Sequence, residues 1–118
     1  MRYLLLLSTA AALMVSAART QSVSSGQELF ARRCTGCHAL DRDKEGPRLG
    51  GVYGRTSGSI ASFPYSHALR NAHITWDAES LDKWLRDPES LAPGSDMAFR
   101  VDSLEERREI VAYLKQVR

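Results

Sequence analysis

Apolar residues recur at helical spacing in three stretches of the chain and thin out between them. Leu81, Trp84 and Leu85 fall at i, i+3 and i+4, with Thr75 or Asp77 available as a cap and Pro88 as a stop, which predicts a helix ending near Asp87. Ser103-Leu104-Glu105-Glu106 matches a capping box, and Ile110, Tyr113 or Leu114, and Val117 line one face of the helix it opens. Ser24 or Ser25 can cap a third helix from Gly26 to about Arg33, with Leu29 and Phe30 as its apolar face. From Asp41 to about His73 the chain is instead punctuated by Gly46-Pro47, Gly50-Gly51, Gly54, Gly58 and Pro64, with His67 and His73 read as surface loop residues. A loop that long with little regular structure is unusual in a small domain unless it wraps something. A second loop, Ser90 to Phe99, holds Pro93-Gly94 and Met97. The pattern predicts an all-α domain with three main helices and long loops.

The first residues stand apart from that domain. Met1-Arg2 gives a positive start, Leu4 to Val15 are apolar except for Ser8 and Thr9, and small residues follow around Ala17 and Ala18. This is the grammar of an export leader over residues 1–18, cleaved near 17/18, ahead of a domain over 19–118. The alternative is an uncleaved anchor, but the apolar run makes only about 18 Å of helix against a hydrocarbon core of about 30 Å. The expectation is therefore no stable membrane insertion after cleavage. About 100 residues remain, which build only a modest apolar core. The formal net charge of +2, with acidic and basic residues intermixed, calls for no nucleic-acid partner.

Cys34-Thr35-Gly36-Cys37-His38 changes the picture most. Two thiols three residues apart can each add to a vinyl group of one porphyrin, and the imidazole that follows becomes the proximal ligand of its iron. A covalently held haem would supply apolar filling that so short a chain lacks. Two other chemistries compete. A disulfide or thioredoxin-type pair expects a βαβ pattern around the motif, and no convincing strand run flanks it. A zinc site would need His67 or His73 in addition, and neither has paired ligand spacing.

If His38 fills one axial position, function turns on the other. Met97 is the only methionine left once a leader carrying Met1 and Met14 is removed, and it lies in a constrained loop rather than at helical periodicity. A gap-filling role is the plain alternative. A thioether suits haem iron, however, and Met/His ligation raises the potential relative to a bis-His site.

In its ordered motifs the chain resembles the class I cytochromes c. The matching pieces are Gly26 and Phe30; Cys34-Thr35-Gly36-Cys37-His38; Gly46-Pro47-Arg48-Leu49; Gly51-Val52-Tyr53-Gly54-Arg55; Phe63-Pro64-Tyr65-Ser66; Ile74-Thr75-Trp76; Pro93-Gly94-Ser95-Asp96-Met97-Ala98-Phe99; and Ile110 to Lys115. The resemblance implies the cytochrome c fold around one haem c, attached through Cys34 and Cys37 with His38 and Met97 on the metal. It also implies that the Pro47 carbonyl accepts the Nδ1 proton of His38, and that Arg55, Tyr65 and Trp76 donate to a propionate. Phe99 would cover the haem edge, and Gly26 and Phe30 would cross Tyr113 and Leu114. Apart from the resemblance, Tyr65, Trp76 and Phe99 read equally well as ordinary aromatic core.

The chain also departs from the mitochondrial pattern. The segment from His38 to Pro47 is about three residues shorter, Trp84 replaces a tyrosine, Leu69 replaces an asparagine, and Glu89 and Asp96 stand where lysines are expected. The two apolar replacements would dry the methionine side, and the missing lysines would weaken steering toward an acidic partner.

The expected function is that of a soluble, monomeric, periplasmic single-electron carrier and not an enzyme. It would meet redox partners by transient contact at the haem edge. Two rivals remain at this stage. One is a haem enzyme or gas sensor with an open coordination position; the other is the cytochrome subunit of a larger periplasmic oxidoreductase.

Overall fold

Ser103 caps the last helix by accepting a hydrogen bond from the Glu106 backbone N–H at 3.3 Å, and the helix runs Leu104–Gln116. Only that half of the expected capping box forms, because the Glu106 carboxylate turns instead to Arg33, 2.9 Å away. Asp77 caps the preceding long helix, Ala78–Arg86, and here the reciprocal bonds with Ser80 are both present. Asp87 then adopts an extended conformation, and Pro88 opens a four-residue helix, Pro88–Leu91, at the first-turn position where its missing N–H costs nothing.

The structure, a computed structural model, describes the backbone of residues 2–118, with side chains placed from Ser16 onward. The helices in chain order are α1 (Arg2–Arg33), α2 (His67–Arg70), α3 (Ala78–Arg86), α4 (Pro88–Leu91) and α5 (Leu104–Gln116). Among the described residues there is no strand, only an isolated bridge between Thr56 and Thr75. The leader expectation falls largely on residues whose side chains lie outside the described ones. Among the described residues no helix is long and apolar enough to cross a membrane.

Two expectations need correction. Ser24 and Ser25 do not start a helix, since both lie inside α1. The Ser24 hydroxyl bonds backward to the carbonyls of Thr20 and Gln21, at 3.2 and 3.0 Å, a use of serine that a helix interior allows as readily as a cap. The segment from Asp41 to His73 also contains α2, opened by the Ser66 hydroxyl accepting from Leu69 N–H at 3.2 Å. One turn is too short to leave a periodic signature.

The core lies where α1, α3 and α5 meet. Leu29 and Phe30 of α1, Leu81, Trp84 and Leu85 of α3, and Ile110, Val111, Tyr113 and Leu114 of α5 are all buried. At the α1–α5 crossing, the Phe30 and Tyr113 rings meet at a tilt of 55° with centroids 5.4 Å apart. Gly26 permits this approach, because a β-carbon there would strike the Glu109 carbonyl and the Tyr113 side chain. The crossing fixes the end of α1, and so fixes the cysteine motif that follows it directly.

Candidate functional site

The motif leaves α1 as a continuing turn. Cys34 N–H donates to the Phe30 carbonyl and His38 N–H to the Cys34 carbonyl, both at 2.9 Å, so Cys34, Cys37 and His38 share one tight coil. The following loop folds back over it. Gly46 N–H reaches the Cys37 carbonyl at 2.8 Å, Leu49 N–H reaches the Ala39 carbonyl at 2.9 Å, and Lys44 Nζ donates to the Thr35 carbonyl at 2.6 Å. A side chain at position 46 is excluded, since a β-carbon there would collide with the His38 ring. His38 Nδ1 lies 2.7 Å from the Pro47 carbonyl. A carbonyl can only accept, so Nδ1 carries the proton and Nε2 keeps a free lone pair. Burial holds the His38 pKa below its ordinary value and so favours the neutral imidazole a metal requires; the Pro47 bond opposes that shift in part.

These residues form one wall of a cavity of about 400 Å³. All nine residues expected around a haem line it: Cys34, Cys37, His38, Pro47, Arg55, Tyr65, Trp76, Met97 and Phe99. They come from segments spread across most of the domain, and only the fold brings them together. His67 and His73 do not line it; both are exposed. His73 takes a left-handed backbone conformation, φ 52°.

The polar residues of the cavity keep capacity to spare. Arg55 donates through Nη1 to the Arg48 carbonyl at 2.8 Å and through Nη2 to the Gly50 carbonyl at 2.5 Å, which leaves three of its five N–H groups uncommitted. The Tyr65 oxygen accepts a long 3.4 Å contact from Ile60 N–H, so its own proton remains available. Burial raises the Tyr65 pKa and lowers that of Arg55. Trp76 is buried against Trp84, with ring centroids 5.3 Å apart in an edge-on arrangement.

The cysteines differ in setting. Burial pushes the Cys34 thiol up to about 11, while exposed Cys37 is raised by its 3.4 Å contact with the Glu45 carboxylate. Both are free. Among the described residues no cluster of three or more His, Cys, Asp or Glu side chains is placed to hold a metal ion, so nothing here matches a zinc centre. The absence of strands among the described residues likewise removes the βαβ setting of a thioredoxin-type pair.

Sequence reasoning took Trp84 as a drying substitution and missed its polar contact: the indole N–H donates to the Met97 sulfur at 3.2 Å. Leu81, Leu85, Ile110 and Leu114, expected only as helix packing, also line the cavity. A largely apolar chamber lined by two thiols, an imidazole with a free Nε2 and a thioether, with spare donors from Arg55 and Tyr65, fits a haem.

Comparison with known proteins agrees with that chemistry. The sequence model of the cytochrome c family matches residues 23–118. Cytochrome c of Euglena viridis is 42% identical over 96 residues, covering 79% of this chain and 94% of that protein. Cytochrome c2 of Blastochloris viridis is 38% identical over 106 residues, covering 86% and 83%. The structure of cytochrome cH from Methylobacterium extorquens superposes with a TM-score of 0.74 at 35% identity, over 79% of this chain and 96% of that one. The fold is therefore the cytochrome c fold, and the site is that of a haem protein that carries electrons rather than an enzyme. The chain belongs to the cytochrome c family.

Proposed function

We propose that this chain is a soluble, monomeric one-electron carrier holding a single haem c through thioethers to Cys34 and Cys37, with His38 and Met97 as axial ligands. When bound, the haem supplies a reversible ferric–ferrous couple. The reading rests on one observation above the others: His38, with its Nε2 lone pair free, and Met97, the one methionine beyond the proposed leader, line the same largely apolar cavity.

The residues around that pair have definite tasks. The Pro47 carbonyl fixes the tautomer and the plane of His38. Arg55, Tyr65 and Trp76 present N–H and O–H donors to the propionate end, where a carboxylate would otherwise be costly to bury. Trp84, Leu81, Leu85, Ile110 and Leu114 keep water from the methionine side. Phe99, 42% exposed, stands at the rim where a partner would make brief contact.

The chain is read as exported to the periplasm after cleavage of residues 1–18. Support comes from the leader grammar of residues 1–18. The test is to mature the protein in a host that attaches haem, precipitate it with acid–acetone and titrate it redox-potentiometrically. Colour that stays with the polypeptide and a reversible one-electron wave are expected. Extractable colour, or free thiols, would overturn the reading.

A further inference from the structure

Arg107 is the most buried basic side chain among the described residues, 5% exposed, and it does not line the cavity. A buried guanidinium persists only when its donors are matched, and each of these bonds goes to a telling place. Nε donates to Asp82 Oδ1 of α3 at 2.8 Å, and Nη1 donates to the carbonyls of Val101 and Asp102 at 2.9 and 2.8 Å. Those two carbonyls close the segment that carries Met97. Val101 is itself fully buried, and its N–H donates to the Leu85 carbonyl of α3 at 2.7 Å. Asp82 and Leu85 flank Trp84, whose indole contacts the Met97 sulfur. One side chain of α5 thus joins the exit of the methionine segment to the helix whose Trp84 contacts the sulfur.

The other side-chain ties of the segment are weaker. At its start Gly94 N–H contacts the exposed Glu89 carboxylate at 3.1 Å, and beside Val101 the half-exposed Arg100 side chain pairs with Asp87 at 2.8 Å. Exposed contacts of this kind contribute little. The firm anchor is at Val101 and Asp102.

We infer that Arg107 is a positioning residue for the methionine ligand, holding Met97 at the metal by fixing the Val101–Asp102 backbone to α3. This deepens the proposed His38/Met97 ligation and depends on it. Without the anchor the protein still folds, but the methionine segment opens more often, and an external ligand competes more easily for the ferric iron.

The test is imidazole titration of the oxidised holoprotein, followed through the methionine-to-iron absorption band. Arg107→Lys keeps a cation beside Asp82 but cannot reproduce the forked contacts. It should bind imidazole about tenfold more tightly than the unmutated protein, the equivalent of losing about one charge-assisted hydrogen bond. Asp82→Asn, which leaves the two carbonyl contacts in place, should raise the affinity by less. Leu29→Ala, a core change at the α1–α5 crossing and away from the cavity, serves as a control for general destabilisation and should leave the affinity within about twofold.

Equal affinities in Arg107→Lys and the unmutated protein would overturn the inference. So would a rise in Leu29→Ala matching that in Arg107→Lys. Absence of the band from the unmutated protein would overturn the ligation reading itself, a result distinguishable from either of these.

Discussion

Trp84 and Met97 are joined by an N–H···S hydrogen bond of 3.2 Å. The indole lies in the last turn of α3, buried and edge-on to Trp76, so its N–H has one direction in which to point. A thioether sulfur has two lone pairs. One can accept from the indole while the other faces a metal.

That contact should tune the potential. Donation from the indole draws electron density from the sulfur and weakens it as a ligand, more for ferric iron than for ferrous. The reduced state is favoured and the potential rises. Trp84→Phe keeps the aromatic wall and removes the N–H. Its midpoint potential should fall by about 20–40 mV, the size of a hydrogen bond of about 0.5–1 kcal/mol in a one-electron couple. Potentiometric titration of both proteins checks this; an unchanged or higher potential would contradict it.

Gly46 has no room for a side chain. In Gly46→Ala the added methyl meets the His38 ring, and either the ring or the loop must shift. Overpacking of this kind costs about 1–3 kcal/mol. The haem-to-polypeptide ratio of the purified protein should drop, and the urea midpoint of the fraction that does mature should fall.

Acid should erase the benefit of the α3 cap. Hydrogen bonds from Ser80, backbone and side chain, hold the Asp77 pKa below its ordinary value of 3.8. A carboxyl with a depressed folded-state pKa contributes stability above its unfolded value, and that stability is lost as pH falls through the folded one. Asp77→Ala should therefore be less stable than the unmutated protein at neutral pH, with the gap narrowing below about pH 4. Denaturant midpoints at the two pH values measure it, and a gap independent of pH would count against the cap.

The rim of the cavity should steer charged reagents only weakly. Arg33 is paired with Glu106 and Arg100 with Asp87, while Asp96 stands exposed beside Met97. Oxidation of the reduced protein by hexacyanoferrate(III) should change little with ionic strength. Asp96→Lys should accelerate it a few-fold at low salt and make the rate fall as salt is added. Stopped-flow rates across a salt series decide this.

The sequence disclosed the helices with explicit start signals and concealed those without. Asp77 and Ser103 cap α3 and α5 as expected, because an acceptor side chain followed by an apolar stripe allows few alternatives. The serines at 24 and 25 misled because a hydroxyl inside a helix bonds back to the previous turn as easily as it caps a new one. α2 and α4 are one turn each, below the length at which periodicity registers.

The site was legible wherever its chemistry is local. Cys34, Cys37 and His38 announce themselves by spacing. Arg55, Tyr65 and Trp76 were reached only through the family resemblance, since nothing in their own neighbourhoods requires them to meet. The bond from Trp84 to Met97 and the Arg107 anchor depend on how α3 and α5 pack, and no spacing in the chain encodes them.

The ferric absorption spectrum of the holoprotein, read beside that of Met97→Ala, tests the central claim most directly. A weak far-red band from sulfur-to-iron charge transfer should be present in the unmutated protein and missing from the variant, whose reduced form should bind carbon monoxide rapidly. A protein without that band, or a variant that retains it, would contradict the assignment of Met97 opposite His38.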